Sequence, residues 1–252
     1  MIKRYLSAMA LALGLFVAAV PAMAAEGGED LPSAGTNVGD RAALQRGAKL
    51  FFNYCVGCHS LKYVRYERLA DDLGLSEAEV MTNLNFTGAK FGETVVSHMP
   101  AADAKTWFGK EPPDLSLEAR AKGVDFIFNY LNSFYLDPSR PVGWNNTVFP
   151  NASMPNPLWE LQGLQVAVHS AAKPGQEAVV EKLELSKPGR MTPEEFKGAT
   201  RDLTTFLEYT AEPAALERQS IGVWVILFLA GLTFLLYLLK TEYWKDVHES
   251  HD

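Results

Sequence analysis

The residues most able to do chemistry in this sequence form the pentapeptide Cys55-Val56-Gly57-Cys58-His59. Two cysteines at this spacing can form thioethers with the two vinyl groups of one haem, and the adjacent histidine can bind the haem iron. Cys55 and Cys58 are the only cysteines in the sequence, so no thiol is left for another role. The motif therefore predicts one covalently attached haem c, with His59 as an axial ligand of the iron.

Two other uses of a C-x-x-C pair account for the motif less well. A thioredoxin-like redox pair does not need the adjacent histidine. A structural zinc site needs further ligands at ordered spacing, which this sequence does not supply. We therefore interpret the motif as a haem attachment site.

The second axial position of the iron needs its own ligand if the haem carries electrons, whereas an open position would bind small molecules or peroxide. Met99 and Met154 both precede proline, which favours an extended backbone able to present a thioether. Met154 lies in residues 149–157, a segment stiffened by three prolines, and this stiffness suits a ligand that must be held against water. The sequence favours Met154 and leaves Met99 as the alternative.

Both ends of the chain carry segments that direct it to a membrane. Residues 1–24 have a basic start, an apolar run and a small-residue ending, the pattern of a removed signal peptide. Residues 221–239 carry no charge and would span about 28 Å as a helix, close to the thickness of about 30 Å of a bilayer's hydrocarbon core. Lys240 and Lys245 follow this segment, so the positive-inside rule predicts a cytoplasmic C-terminus and a periplasmic body.

These segments predict four parts of the chain, inserted in a bacterial inner membrane with a single pass. They are a signal peptide (1–24), a periplasmic haem domain (25–212), a linker and anchor helix (213–240) and a cytoplasmic tail (241–252). Residues 25–212 are enough for one domain with its own core. The formal net charge of -7 argues against nucleic acid as a partner.

Helix and turn signals predict a mainly α body. One helix begins at the N-cap Asp40 and leads into the haem motif, and Gly47 inside it indicates either a close helix crossing or a tolerated surface glycine. A second helix is predicted over residues 125–134. The best marked helix has Thr192 as its cap, with Glu195 completing a capping box.

The rest of the body is predicted to be long loops with little strand. Residues 164–168 and 179–185 alternate apolar with polar side chains, which predicts a small β-hairpin insertion. Pro213 should interrupt the path from the last helix of the body to the membrane segment.

Beyond the haem motif, several short motifs follow one another across nearly the whole chain. They are Pro112-Pro113-Asp114-Leu115-Ser116, Ala119-Arg120-Ala121-Lys122, Tyr130-Leu131 with Phe134, Ser153-Met154-Pro155, and Glu212-Pro213 with Arg218. Their order, together with the C-terminal apolar segment, resembles the cytochrome c1 family, the haem subunits of cytochrome bc1 complexes. The resemblance implies a cytochrome c-like haem domain with a small β-hairpin insertion and one C-terminal transmembrane helix.

The resemblance also implies roles for individual residues. Met154 matches the sixth ligand of the family, and Pro112 and Pro113 match a segment that packs at the haem edge. A basic residue of the family binds a haem propionate, and this sequence offers Arg120 and Lys122 for that role. Lysine stands at the second of these positions, where the family has arginine.

By the same resemblance, the chain passes single electrons from a Rieske iron–sulfur protein to a cytochrome c, beside cytochrome b in the quinol–cytochrome c oxidoreductase. No acid, base or nucleophile constellation is evident, so quinol oxidation would occur elsewhere in the complex. One alternative is a free-standing anchored cytochrome that donates to a terminal oxidase or a denitrification enzyme. Others are a peroxidase-like haem enzyme with an open sixth position and a mainly structural subunit.

Overall fold

A computed structural model describes residues 31–170 and 179–245 of the chain. The predicted signal peptide, the tip of the predicted hairpin and the end of the C-terminal tail lie outside these residues. The helices are α1 (Arg41–Tyr54), α2 (Tyr66–Leu73), α3 (Glu77–Asn83), α4 (Ala101–Phe108), α5 (Glu118–Lys122), α6 (Val124–Asn132), α7 (Trp159–Gln162), α8 (Pro193–Ala211) and α9 (Ala215–Tyr243). The strands are β1 (Leu61–Arg65), β2 (Thr94–Val95), β3 (Phe134–Leu136), β4 (Trp144–Asn146), β5 (Gly163–His169) and β6 (Val180–Pro188).

Helix α1 begins and ends where the sequence predicts. The Asp40 side chain accepts a hydrogen bond of 3.1 Å from the backbone N–H of Ala43, which satisfies one of the free donors of the first turn. The helix ends against Cys55, so the haem motif continues directly from it. Its buried residues, which include Leu44 and Phe51, recur at helical spacing and so form one face of the helix.

Helices α1 and α8 cross closely at Gly47, so of the two roles that the sequence left open for this glycine the close crossing is the correct one. A Cβ atom at Gly47 would lie 2.1 Å from the backbone oxygen of Asp202 and 2.7 Å from the Cβ of Phe206. Only a residue without a side chain lets the two backbones approach this far. The adjacent Arg46 pairs with Asp202 at 2.6 Å, so a polar contact flanks the crossing.

The predicted capping box of α8 is confirmed. The Thr192 hydroxyl accepts from the backbone N–H of Glu195, and the Glu195 carboxylate accepts from the backbone N–H of Thr192. The inner face of α8 buries Phe196, Leu203 and Phe206 in the main hydrophobic core. The same core includes the buried residues of α1 and α2 together with Cys55 and Val56. The haem motif is therefore packed in one core with α8.

A four-stranded sheet in the order β4-β3-β5-β6 lies beside the helices. The predicted hairpin is confirmed as the antiparallel pair β5–β6, and β5 also pairs in parallel with β3. The predicted helix over residues 125–134 ends sooner, at Asn132, and Phe134 instead opens strand β3. Phe134 is fully buried and pairs with Asn146, so strand pairing and burial outweigh the helical pattern there.

The chain leaves α8 at Ala211, turns at Pro213 and enters α9, as the proline predicted. The most apolar 18 residues of the segment Ser220–Tyr243 within α9 have a mean hydropathy of 2.4, and none of them is buried. Within the described residues it is the one helix long and apolar enough to cross a membrane. An exposed apolar helix of this length suits a lipid surrounding, so α9 is the candidate membrane anchor.

Candidate haem site

A cavity opens where α1 ends, and several distant segments contribute to its lining. Cys55, Cys58 and His59 line it together with Pro112 and Pro113. Apolar walls come from α6 and α8. The wall residues are Phe126, Ile127, Tyr130, Leu131, Leu203 and Leu207.

Backbone hydrogen bonds wind the haem motif into turns after α1. The N–H of Cys55 donates to the oxygen of Phe51 at 2.8 Å, which completes the helix. The N–H groups of Cys58 and His59 then donate to the oxygen of Cys55, at 3.0 and 2.9 Å. These local turns bring both thiols and the imidazole to one cavity.

The surroundings of the two thiols do not activate them as nucleophiles. Burial, with a smaller contribution from Cys58, raises the pKa of the Cys55 thiol to about 12. Burial also raises the pKa of Cys58. A redox-active pair needs a lowered thiol pKa, and a zinc site needs further ligands. In the part of the chain that the structure describes, no cluster of three or more metal-binding side chains occurs, so neither alternative gains support.

The orientation of His59 is fixed by a backbone carbonyl. Its Nδ1 lies 2.8 Å from the oxygen of Pro113. A carbonyl oxygen only accepts hydrogen bonds, so Nδ1 carries the proton and Nε2 keeps its lone pair. Burial lowers the pKa of His59, which favours this neutral form. The imidazole is therefore prepared to bind a metal through Nε2.

The segment that carries Pro113 is itself pinned to the chain after the haem motif. The N–H of Leu115 donates to the oxygen of Ser60 at 2.9 Å, and the Asp114 carboxylate accepts from the N–H of Lys62 at 2.8 Å. No sequence pattern predicts the hydrogen bond between His59 and the Pro113 oxygen, because a backbone oxygen has no residue-type signature. The sequence feature that comes closest to indicating this contact is the Pro-Pro-Asp-Leu motif, which contains Pro113.

Met154 lines the same cavity from the loop between β4 and α7. Met99 follows β2 and is not among the lining residues. Both side chains are half-buried, so exposure does not separate them. What separates them is the fold, which brings Met154 and not Met99 to the cavity that His59 lines.

The two basic candidates for a propionate also differ in position. Lys122 lines the cavity, with its Nζ 3.7 Å from the Glu118 carboxylate and 5.3 Å from the centre of the Phe126 ring. Arg120 is exposed and is not among the lining residues. Lys110 lines the cavity as well and was missed by the sequence reasoning, since a single surface lysine carries no pattern.

The residues around the cavity fit a covalently bound haem. They supply two thiols for thioethers, an imidazole with a free Nε2, a thioether sulfur, apolar walls and cations at the rim. Soft sulfur and imidazole nitrogen are the donors that haem iron takes in electron carriers. The same set lacks the additional cysteines that an iron–sulfur cluster needs.

Comparison with known proteins gives a consistent result. The family model described as "Cytochrome C1 family" matches residues 35–247. Cytochrome c1 of Allochromatium vinosum is 49% identical over 239 residues, covering 94% of this chain and 98% of the relative. Cytochrome c1 of Rhodospirillum rubrum is 31% identical over 240 residues, covering 82% and 83%.

A third relative carries a different description. A Nitrosomonas europaea protein described as an ammonia monooxygenase gamma subunit is 43% identical over 209 residues, covering 83% of this chain and 85% of the relative. The match to the family model extends over most of the chain, including the haem motif and the apolar helix. This chain belongs to the cytochrome c1 family and has haem c as its cofactor.

Proposed function

We propose that this chain is a membrane-anchored electron carrier and the haem subunit of a cytochrome bc1 complex. It takes single electrons from the Rieske iron–sulfur protein and passes them to a cytochrome c. The observation that carries the proposal is the cavity that Cys55, Cys58, His59 and Met154 line together. No acid, base or nucleophile is assigned a role, so the chain conducts electrons and does not convert a substrate.

Each cavity residue has one task in this proposal. Cys55 and Cys58 would hold the cofactor through thioethers to its two vinyl groups. His59 would bind the iron through Nε2, while the hydrogen bond from its Nδ1–H to the Pro113 oxygen prevents the ring from rotating. Bound haem supplies a one-electron iron couple. Met154 contributes a neutral, soft sulfur, which favours the ferrous state and raises the potential relative to a second imidazole.

The surrounding residues tune this couple. The apolar walls from α6 and α8 exclude water, and a low dielectric disfavours the more highly charged ferric state. Pro112 and Pro113, which line the cavity, would pack at the edge of a bound haem. Lys122 would pair with a propionate; both cations are exposed, and the position of Lys122 in the cavity lining supports it over Arg120, which is not among the lining residues.

The orientation in the membrane follows from charge and targeting. Residues 1–24 direct export and are removed, so residues 25–212 form a periplasmic haem domain. Residues 213–240 lead through the membrane, and Lys240 and Lys245 hold the tail 241–252 on the cytoplasmic side of the bacterial inner membrane. Cytochrome b and the Rieske protein are the membrane partners.

Extraction of the membrane in mild detergent, followed by purification through this chain, tests the assembly. We expect cytochrome b and a Rieske protein to accompany the chain, and the haem to stay on it under denaturing conditions. A chain that purifies alone would favour the free-standing cytochrome. Companion subunits of a monooxygenase would favour the assembly that the description of the Nitrosomonas europaea relative suggests.

A further inference from the structure

The loop that carries Met154 has few backbone hydrogen bonds of its own. Between β4 and Leu158, its backbone–backbone hydrogen bond is the one that the N–H of Thr147 donates to the oxygen of Ser133, at 3.2 Å. The loop also contains Pro150, which has no N–H to donate. Something other than secondary structure must therefore hold the position of Met154.

Upstream of Met154, the side chain of Asn146 makes hydrogen bonds to backbone groups of the loop and of α6. Its Oδ1 accepts from the N–H groups of Val148 and Phe149, at 2.9 and 3.0 Å. Its Nδ2 donates to the oxygen of Tyr130 at 2.7 Å. The Asn146 side chain is itself 0% exposed, although its partners are only partly buried, so its amide cannot exchange these bonds for bonds to water and an unmade one is costly.

Downstream of Met154, Asn156 makes a second anchor. Its Oδ1 accepts from the N–H of Leu158 at 2.9 Å, and its Nδ2 donates to Oε1 of Gln162 at 2.7 Å. The amide of Gln162 in turn donates to the oxygen of Asn132 at 3.2 Å. Asn156 is 2% exposed and its bonds to Leu158 and Gln162 are buried, whereas the bond from Gln162 to Asn132 is partly buried.

Both anchors reach the same place, the C-terminal end of α6. The last carbonyls of a helix lack the usual partner four residues on, so those of Tyr130 and Asn132 can accept from side chains, although the Tyr130 oxygen also accepts from the N–H of Ser133 at 3.3 Å. Helix α6 also contributes Phe126 and Ile127 to the cavity wall. The two asparagines thus set the loop against the wall of the haem site, from both sides of Met154.

We infer that Asn146 and Asn156 are positioning residues that hold the Met154 loop against α6 and so keep the thioether at the iron. This inference rests on the proposed role of Met154 as an axial ligand. Neither asparagine lines the cavity, so both act through the loop. Losing the two bonds that Asn146 Oδ1 accepts should shift the equilibrium toward an open loop on the order of tenfold or more.

The test uses the full chain, matured with haem in detergent, with Asn146→Ala and Asn156→Ala as the variants. Asn53→Ala is the matched control, since Asn53 is exposed and its amide donates only to the oxygen of Lys49 in its own helix. The readouts are the weak long-wavelength band of methionine-ligated ferric haem and carbon monoxide binding to the reduced protein. Global unfolding is followed separately by far-ultraviolet circular dichroism.

We expect both loop variants to keep covalent haem and secondary structure. Their long-wavelength band should weaken or disappear, and the fraction that binds carbon monoxide should rise about tenfold, well below the temperature of global unfolding. The Asn53→Ala variant should match the parent chain. If Asn146→Ala does not fold, Asn146→Ser, which keeps one acceptor, and Asn156→Ala provide the same comparison.

Two results would overturn the inference. One is a full long-wavelength band with no carbon monoxide binding in the folded variants. The other is loss of the band only in step with global unfolding, which would indicate a merely structural role. A parent chain that itself lacks the band and binds carbon monoxide would instead refute Met154 as the ligand, so the two failures are distinguishable.

Discussion

The crossing of α1 and α8 at Gly47 leads to the sharpest prediction about stability. Replacing a glycine inside a helix by alanine normally stabilises the helix by about 1 kcal/mol. At Gly47 the new Cβ would lie 2.1 Å from the backbone oxygen of Asp202, whereas an ordinary carbon–oxygen contact is about 3.3 Å. The two helices must therefore separate by roughly 1 Å, and the atom in the way is backbone that cannot rotate aside.

Overpacking of this kind costs about 1–3 kcal/mol, and a backbone clash belongs at the upper end. After the gain in helix propensity, Gly47→Ala should lower the free energy of unfolding by about 2 kcal/mol. The matching fall in melting temperature is several degrees, about 4–8 °C. Because α1 leads into the haem motif and α8 forms a cavity wall, the shift should also disturb the haem site.

Gly198→Ala is the control for this prediction. Gly198 lies in α8 as well, but a Cβ there would meet nothing within 4 Å, so only the propensity gain remains. We expect that variant to be about 1 kcal/mol more stable than the parent chain. Thermal unfolding followed by circular dichroism measures both changes. A Gly47→Ala chain at least as stable as the parent would refute the close crossing.

Three further predictions concern the haem site and the helix that supports it. Met154→Leu should yield a carbon-monoxide-binding haem whose midpoint potential is lower, on the order of 0.1 V or more, while Met99→Leu changes little; redox titration with the reverse outcome would reassign the ligand. Lys122→Met should lower the midpoint potential by tens of millivolts, on the order expected for an exposed cation, and Arg120→Met should leave it nearly unchanged in the same titration. Thr192→Ala should lower the free energy of unfolding by about 1 kcal/mol through loss of the capping box, and equal melting temperatures would show that the cap contributes nothing.

Local features of this protein were predicted well because their causes lie within a few residues. The caps at Asp40 and Thr192 and the break at Pro213 each depend on hydrogen bonds or sterics between near neighbours. The haem c prediction is of the same kind, since its thiols and imidazole adjoin one another in the chain. The error at Phe134 arose where a distant strand competed with a local helical pattern.

Residue types and their spacing were enough to predict the chemistry of the cofactor, the helix that leads into the haem motif and the apolar C-terminal helix. The packing of the folded chain was needed to show which methionine and which cation line the cavity, that the Pro113 oxygen orients His59, and what Gly47 touches. Residue types record which bonds a side chain is able to make. They do not record which distant backbone atom will stand within 3 Å of it, because that distance is set by the packing of all the intervening elements.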